Sequence, residues 1–499
     1  MKNNKNNTVY SYHTFYFPFI WDNSGSISMQ HFIDSLTTTG KWNDISVYSF
    51  KYASKDKVAD YQTLQFFTAA ARKSLFGWDE EFVRCLEYSK SNDKVTYCIN
   101  IERKTEKKVI ITDEKTGEKI EKTEQETAVT KYCLNVDGIK LKVYNTGVGI
   151  LTLETENYNY KDIKSVKEIN EYGRRIFAPY FAPETNICDC CATTLGFIIG
   201  EKDILSPIAS FQPQNEEQCI PTFIRDLFPA IRIIPAIDDR MFVACLVNDA
   251  EELKKHLDYE IDETGSKIKN VCLNYKTNDV ASKSLYEFVY IDRDDYCSCP
   301  TKCMRNSLLE RSIYSRWSEY ITSGQIAGTL YGITHHSMVC LTSATDEYYI
   351  ERPFLTIYTH MISVVLAQRA SILAFDEKIS SCSRDFEKKR TGIKISHIKE
   401  LKELQDKYIA FLNQHMNIEV TCQEQGIELY KMLQNEMYVC KEEEVLSKEL
   451  SLLNDAADTA IDIRNNSMAI ILTILFGLIS ALPISKIITY LWEIFKSVF

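Results

Sequence analysis

The feature that most constrains this chain lies near its C-terminal end, where NNSMAIILTILFGLISALPIS (465–485) carries no charged side chain. Roughly 19 apolar residues rising ~1.5 Å each make ~28 Å of helix, close to the ~30 Å hydrocarbon thickness of a bilayer. Nothing comparable occurs in the residues before it, which read as water-soluble protein. The expectation is a large soluble body attached to a membrane-entering helix over about 466–483.

The apolar run continues a heptad seam. Leu446, Leu450, Leu453, Ala457, Ala460 and Arg464 alternate four and three residues apart, and the register persists through Ser467, Ile471, Ile474, Leu478 and Ala481. Small and aliphatic residues in such a seam favour close packing of helices. A helix of the same chain would satisfy the spacing equally well; the persistence of the register into the apolar segment favours self-association. Asn465, Asn466, Ser467 and Thr473 are then the polar groups best placed to line a pore. Beyond Pro483, residues 484–499 are apolar but contain Lys486, Glu493 and Lys496. A helix of that length spans only ~24 Å, so it reads either as a thin second pass or as an interfacial helix with Tyr490 and Trp492 at headgroup level.

Ahead of the tail the pattern is α+β. YSYHTFYFPFIW (10–21) is β-prone, and 61–76 has the Ala-rich look of a packed helix. Residues 103–126 read as a protruding hairpin, and a helix is expected over about 162–176. After about 306 long helical patterns take over. The expected division is a sensing domain over 1–305, a helical domain and stalk over 306–464, and a membrane region over 465–499. The opening MKNNKNNTVYSYH has no apolar segment of the kind a secretion signal carries, which places the large N-terminal region in the cytoplasm and the tail in the inner membrane. The sixteen cysteines are then expected as thiols. A net charge of −11 argues against direct nucleic-acid binding, which needs a basic face.

Several constellations could carry chemistry. In NEYGRRIF (170–177), Arg174 and Arg175 beside Gly173 offer planar forks of donors suited to phosphate, and Tyr172 and Phe177 offer faces for a base. A plainer reading is a pair of helix-surface arginines, one bridging to an acid. Asp238, Asp239 and Arg240 follow the apolar stretch IRIIPAI (231–237), where charges often line a crevice in α/β folds; a turn with an internal ion pair fits equally. TGVGIL (146–151) lacks the lysine and spacing of a P-loop and reads as a bulge or a close backbone contact. Cys188, Cys190 and Cys191 together with Cys297, Cys299 and Cys303 are enough thiols for structural zinc, but their spacing suits loop thiols better. His335 and His336 are neighbours that point apart on any regular backbone. No HExxH and no Ser–His–Asp set is recoverable, so a binding protein is expected rather than an enzyme, with no metal site.

HTFYFPF (13–19), YNTGVGIL (144–151), NEYGRRIF, GTLYGITHHS (328–337) and VTCQEQGIELY (420–430), followed by a long helix and an apolar tail, together resemble the CorA-like membrane proteins attached to type III CRISPR systems. The resemblance implies a homo-oligomer, a pentamer by analogy with CorA, in which a cytosolic domain binds a nucleotide second messenger and makes the membrane leaky in antiviral defence. The messenger it implies is SAM-AMP, S-adenosylmethionine joined to AMP, in preference to a cyclic oligoadenylate. On that reading Arg174 and Arg175 hold the phosphodiester, Asp238 or Asp239 faces the sulfonium, and Tyr172 and Phe177 stack on adenine. One departure is plain: ordinary CorA channels carry Gly-Met-Asn after the pore helix, where this chain has Ala481, Leu482 and Pro483. A constitutive divalent-cation channel and a tail-anchored scaffold are the rival expectations.

Overall fold

The structure is a computed structural model that describes residues 8–21, 27–46, 63–77, 82–89, 94–112, 119–176, 191–207, 220–229, 231–261, 268–316, 320–322, 325–343, 350–388, 395–416, 419–480 and 484–498. The chain divides into two compact units, one formed by 1–374 with 410–440 and the other by 375–409 with 441–499.

The first unit is mixed α/β, built on a 13-stranded sheet. Its strands are β1 (Ser11–Ile20), β2 (Trp42–Asp44), β3 (Val83–Tyr88), β4 (Val95–Thr112), β5 (Lys119–Tyr144), β6 (Val148–Asn157), β7 (Thr194–Ile199), β8 (Lys202–Pro207), β9 (Ile234–Pro235), β10 (Phe242–Asn248), β11 (Ile313–Tyr314), β12 (Thr329–Ile333) and β13 (Ser337–Thr342). The main path runs β11-β12-β13-β10-β1-β6-β5-β4-β7-β8; β2 and β3 extend from β5, and β9 adds to β1. All pairs are antiparallel except β10 with β13.

β1 sits centrally, so both its faces are covered and its aromatic run does not alternate with polar residues. Phe15, Tyr16, Phe17 and Phe19 are all buried. Pro18 is tolerated there because its missing N–H falls in a gap. On that side β1 pairs with β10 only as far as Tyr16 and with β9 only from Phe19, and Ala236 N donates to the Pro18 carbonyl at 3.0 Å. The expected close contact at TGVGIL is present. A Cβ on Gly149 would lie 2.4 Å from the Phe19 ring, and Gly147 has φ +91°.

The 103–126 hairpin forms as expected, with β4 and β5 paired from Thr96↔Asn135 out to Thr112↔Lys119. The helix expected over 162–176 is Ile163–Gly173, capped by Asp162, whose carboxylate accepts from Ser165 N at 2.8 Å. It packs on the sheet through Val166, Ile169 and Tyr172. Gly173 is where helix and sheet come closest: an added Cβ would meet Ile99 Cδ1 and Phe15 Cζ at 2.9 Å.

The expected change to helical character at 306 does not match the secondary structure. GTLYGITHHSMVCLT supplies β12 and β13, which pair antiparallel through Leu330↔Leu341, and β13 adds in parallel to β10. Short apolar runs of this length are ambiguous between buried strand and buried helix, and here the sheet edge decides. The long helices begin only at 350.

The second unit is helical. It takes helix Thr359–Lys388 from Phe375 on, most of helix Ile395–His415, helix Val439–Ser480 from Lys441 on, and helix Ile484–Val498. Ile379, Leu401, Leu404, Tyr408, Leu446, Leu450, Leu453 and Ala457 form its buried interior. The Tyr408 hydroxyl donates to Glu443 Oε1 at 2.9 Å, and the Tyr408 ring packs on Phe375 at 5.5 Å between centroids.

Candidate functional site

The residues flagged by sequence at 174–175 and 238–239 come together in the first unit. Helix Ile163–Gly173 ends at Arg174 in a helical conformation, and the next residue forms an isolated antiparallel bridge with Arg240. Two backbone hydrogen bonds lock the segments: Met241 N donates to Arg174 O at 2.7 Å and Ile176 N to Asp239 O at 3.0 Å. The strand-like 231–237 stretch supplies only β9, and the acidic pair follows it as an irregular turn leading into β10.

Arg174 is not the surface residue of the plainer reading. Its side chain is 3% exposed; Nε and Nη2 donate to Glu171 Oε2 at 3.0 and 2.5 Å, and Nη2 also donates to the Ile291 carbonyl at 3.1 Å. Ile291 has φ 60°, a left-handed conformation costly for a β-branched residue, by about 1–3 kcal/mol. Arg175 donates from Nη1 to Asp239 Oδ2 at 2.9 Å and from Nη2 to Glu171 Oε1 at 3.3 Å. Arg240 reaches Asp238 Oδ2 at 3.0 Å and Asp239 Oδ1 at 3.1 Å. Among the described residues two buried donors, Arg174 Nη1 and Arg175 Nε, have no hydrogen-bond partner.

Burial lowers the Arg174 guanidinium from its ordinary value against the pull of Glu171. Burial, then the hydrogen bond and charge of Asp238, raise Asp239 to about 6, with Arg175 and Arg240 opposing. Asp238 ends at about 2: burial raises it, but the hydrogen bond from Asp239 and the charge of Arg240 outweigh that. The two carboxyls therefore titrate as a pair sharing a proton, with Asp238 holding the charge. His336 adds a group that sequence reasoning did not connect to the site. Its Nδ1 lies 3.6 Å from Asp238 Oδ2, beyond hydrogen-bond range. Burial, then Arg240 and Arg174, push its imidazole down to about 3, so it is neutral at pH 7. Glu171, on the inner side of the same helix turn, was missed as well; its position three residues before Arg174 was the available signal.

Two sequence expectations need correction or limitation. Tyr172 does not offer a face for adenine: it is fully buried, Arg103 covers its ring at 5.6 Å, and its hydroxyl accepts from Arg103 and Arg293 at 3.3 Å each. Phe177, Cys188 and Cys190 lie outside the described residues. Cys191 is buried, while Cys297, Cys299 and Cys303 are free thiols with at least partial exposure. Among the described residues no group of three or more His, Cys, Asp or Glu side chains is arranged to hold a metal ion. His335 and His336 do not point apart as expected: their rings meet edge to face, 4.9 Å between centroids and 85° apart.

In the second unit the heptad seam splits into two parts. Leu446, Leu450, Leu453 and Ala457 are buried by helices of their own chain, which is the simpler of the two readings of the spacing. Farther along the same helix, Met468, Ile470, Ile471, Leu472, Ile474, Leu475 and Phe476 are all exposed. At ~100° per residue these positions surround the whole helix. The four expected pore residues do not share one face: Asn466 and Thr473, seven apart, align, while Asn465 and Ser467 diverge from Asn466 by ~100° to either side. Ser467 and Thr473 donate back to Ile463 O and Ala469 O at 2.8 Å. Ala481, Leu482 and Pro483 lie outside the described residues. Tyr490, Leu491, Trp492, Ile494 and Phe495 are exposed on helix Ile484–Val498.

Among the described residues one helix, Phe354–Arg384, is long and apolar enough by composition to cross a membrane, at mean hydropathy 1.2. Its most apolar stretch is 78% buried, with Met361, Ile362, Val365 and Leu366 in the interior of the first unit, as in the core helix of a soluble body. No protein-family model matches the chain, and no curated protein matches it.

Proposed function

We propose that this chain is a messenger-gated membrane effector: the first unit binds an anionic nucleotide, and the end of helix Val439–Ser480 with helix Ile484–Val498 enters the bilayer as part of a homo-oligomeric pore. The observation that carries the reading is the belt of exposed apolar side chains around residues 468–476. Monomeric soluble proteins rarely expose so large an apolar patch, and a helix that is apolar all round is suited to lipid or to other helices. The same helix upstream, at Leu446, Leu450, Leu453 and Ala457, is satisfied within the chain, so oligomeric contacts fall to its distal part.

The resemblance to CorA-like proteins of type III CRISPR systems makes SAM-AMP the favoured messenger. The cluster of Arg174, Arg175, Asp238, Asp239 and Arg240 supports a gating role for the following physical reason. Three guanidinium groups face Glu171 and the two aspartates, so an arriving phosphate must displace a carboxylate. Asp239 is the one to yield, since a pKa near 6 lets it take a proton as Arg175 and Arg240 turn to the phosphate. Asp238, which keeps its charge, would meet a cationic sulfonium.

Binding of SAM-AMP to the full chain in detergent, with cyclic tetra-adenylate as comparison, tests the sensing half. Wild type should bind SAM-AMP, and Arg175→Gln, which keeps the fold, should weaken it at least tenfold. Equal affinity in the two proteins removes the cluster from the site.

A further inference from the structure

The first unit contains a cavity of about 570 Å³, away from the arginine–aspartate cluster, that no expectation from sequence anticipated. Its walls come from three places: residues 63–66, the start of the long helix at 352–358, and the start of helix Glu424–Glu436. The frame is stapled: Thr68 N donates to Val420 O at 2.8 Å and the Thr421 hydroxyl to Phe66 O at 2.6 Å. Gly426 lets the last wall close on Phe66, since a Cβ there would sit 2.9 Å from the ring. The middle wall is a π-helical segment, Phe354–Tyr358, a distortion found disproportionately at functional sites.

Among the described residues that line it, Arg352 is the one ionised side chain and none is a carboxylate, and among the described residues no hydrogen bond or ion pair engages the Arg352 guanidinium. Around it stand amides and hydroxyls (Gln423, Gln425, Thr356 and the Tyr358 hydroxyl) and the apolar surfaces of Phe66 and Ile357. Gln425 is held in place by donating to the Tyr358 hydroxyl at 2.8 Å. The volume is within the ~300–1,000 Å³ of small-molecule sites. An unpaired guanidinium selects an anion, an aromatic face takes a planar ring, and fixed amides read the polar edge of that ring.

We infer that this cavity is a second binding site, for a nucleoside-monophosphate-sized anion, with Arg352 on the phosphate and Phe66 against the ring. The inference stands on the cavity alone and is independent of the membrane reading.

Calorimetric titration of the full chain in detergent with AMP, adenosine and inorganic phosphate tests it. AMP should bind, adenosine and phosphate should each bind at least tenfold more weakly, and Arg352→Ala should weaken AMP at least tenfold with an unchanged thermal melt. Phe66→Leu, which retains bulk at the wall, should weaken AMP and leave phosphate unaffected. Absence of AMP binding to wild type, or undiminished AMP binding by Arg352→Ala, overturns the site. Phosphate binding as tightly as AMP overturns the ring pocket, and loss of AMP binding in Arg175→Gln but not in Arg352→Ala places the nucleotide at the arginine cluster instead. Leakage is not read in any arm, so failure here leaves the membrane reading standing.

Discussion

Arg175 Nη1 lies 2.9 Å from Asp239 Oδ2, joining the end of a helix to the turn before a central strand across 64 positions of sequence. The contact is made where Arg175 and Arg240 form a backbone bridge, so the pair is positioned by main chain rather than by two flexible side chains. That rigidity makes the cluster both a structural joint and a site where a competing anion would be felt.

The neighbouring arginine has a different role. Arg174 is buried against Glu171 and Ile291, so Arg174→Ala leaves the Glu171 carboxylate short of a partner in a dry site. Breaking a buried ion pair from one side costs about 3–5 kcal/mol. Thermal melts should show a clear loss for Arg174→Ala and a smaller one for Arg175→Gln. A variant of Arg174 that melts like wild type would contradict its structural role, and for the same reason binding tests belong on Arg175.

Acid should destabilise the first unit between pH 6.5 and about 4. Burial holds His13 at about 4, His415 at about 4 and His336 at about 3, and drives His360 well below its ordinary value. A folded-state pKa depressed below the unfolded value means stability that is present above pH 6.5 and lost as pH falls toward the folded pKa. For fully buried His13 or His415 the loss reaches about 3 kcal/mol by pH 4. Asp239 works in the opposite direction: raised to about 6, it adds stability as pH falls through that value. Asp292 and Glu436, which burial also raises, act with Asp239, and the four histidines outweigh the three acids. A melting temperature that rises from pH 7 to pH 4.5 would show the histidines to be protonated in the fold.

The two parts of the seam should respond oppositely to truncation. Leu450, 4% exposed, loses about 2–5 kcal/mol on Leu450→Ala. Ile474, 57% exposed, should lose no more than about 0.5 kcal/mol on Ile474→Ala, as at an ordinary surface site. Melts of the two variants in detergent, at a dilution where the chain is monomeric, distinguish them, and a larger loss at Ile474 there would mean that position is packed within the chain.

Gly149→Ala places a methyl on the Phe19 ring in the central pair of the sheet, between β1 and β6. Overpacking of this kind costs about 1–3 kcal/mol. Unchanged stability would mean that the Phe19 ring can move aside.

What the sequence revealed depended on period and on chain-local chemistry. The long 103–126 hairpin, the helix after Asp162 and the glycine contact at TGVGIL were legible because turn residues, a cap and apolar periodicity act within a few residues. β12 and β13 were not, because GITHHSMVCLT is short and apolar enough for either element and only the sheet edge at β10 decides. In the site, Arg174, Arg175, Asp238 and Asp239 were legible as charge beside glycine or beside an apolar stretch. That Tyr172 faces inward, that His336 approaches Asp238 and that Arg352 lines a cavity depend on contacts across more than 60 positions, which no local pattern encodes. The seam is a packing register within the chain from Leu446 to Ala457, while Ile471 and Ile474 farther along it are exposed; spacing alone does not say which helix answers it.

The central claim is tested most directly by release of a trapped fluorophore from liposomes reconstituted with the full chain. The account predicts release on adding SAM-AMP, little without nucleotide, and none from Ile471→Asp combined with Ile474→Asp, which puts charge into the exposed apolar belt. Release that is equal with and without nucleotide, or that survives the double aspartate substitution, would contradict it.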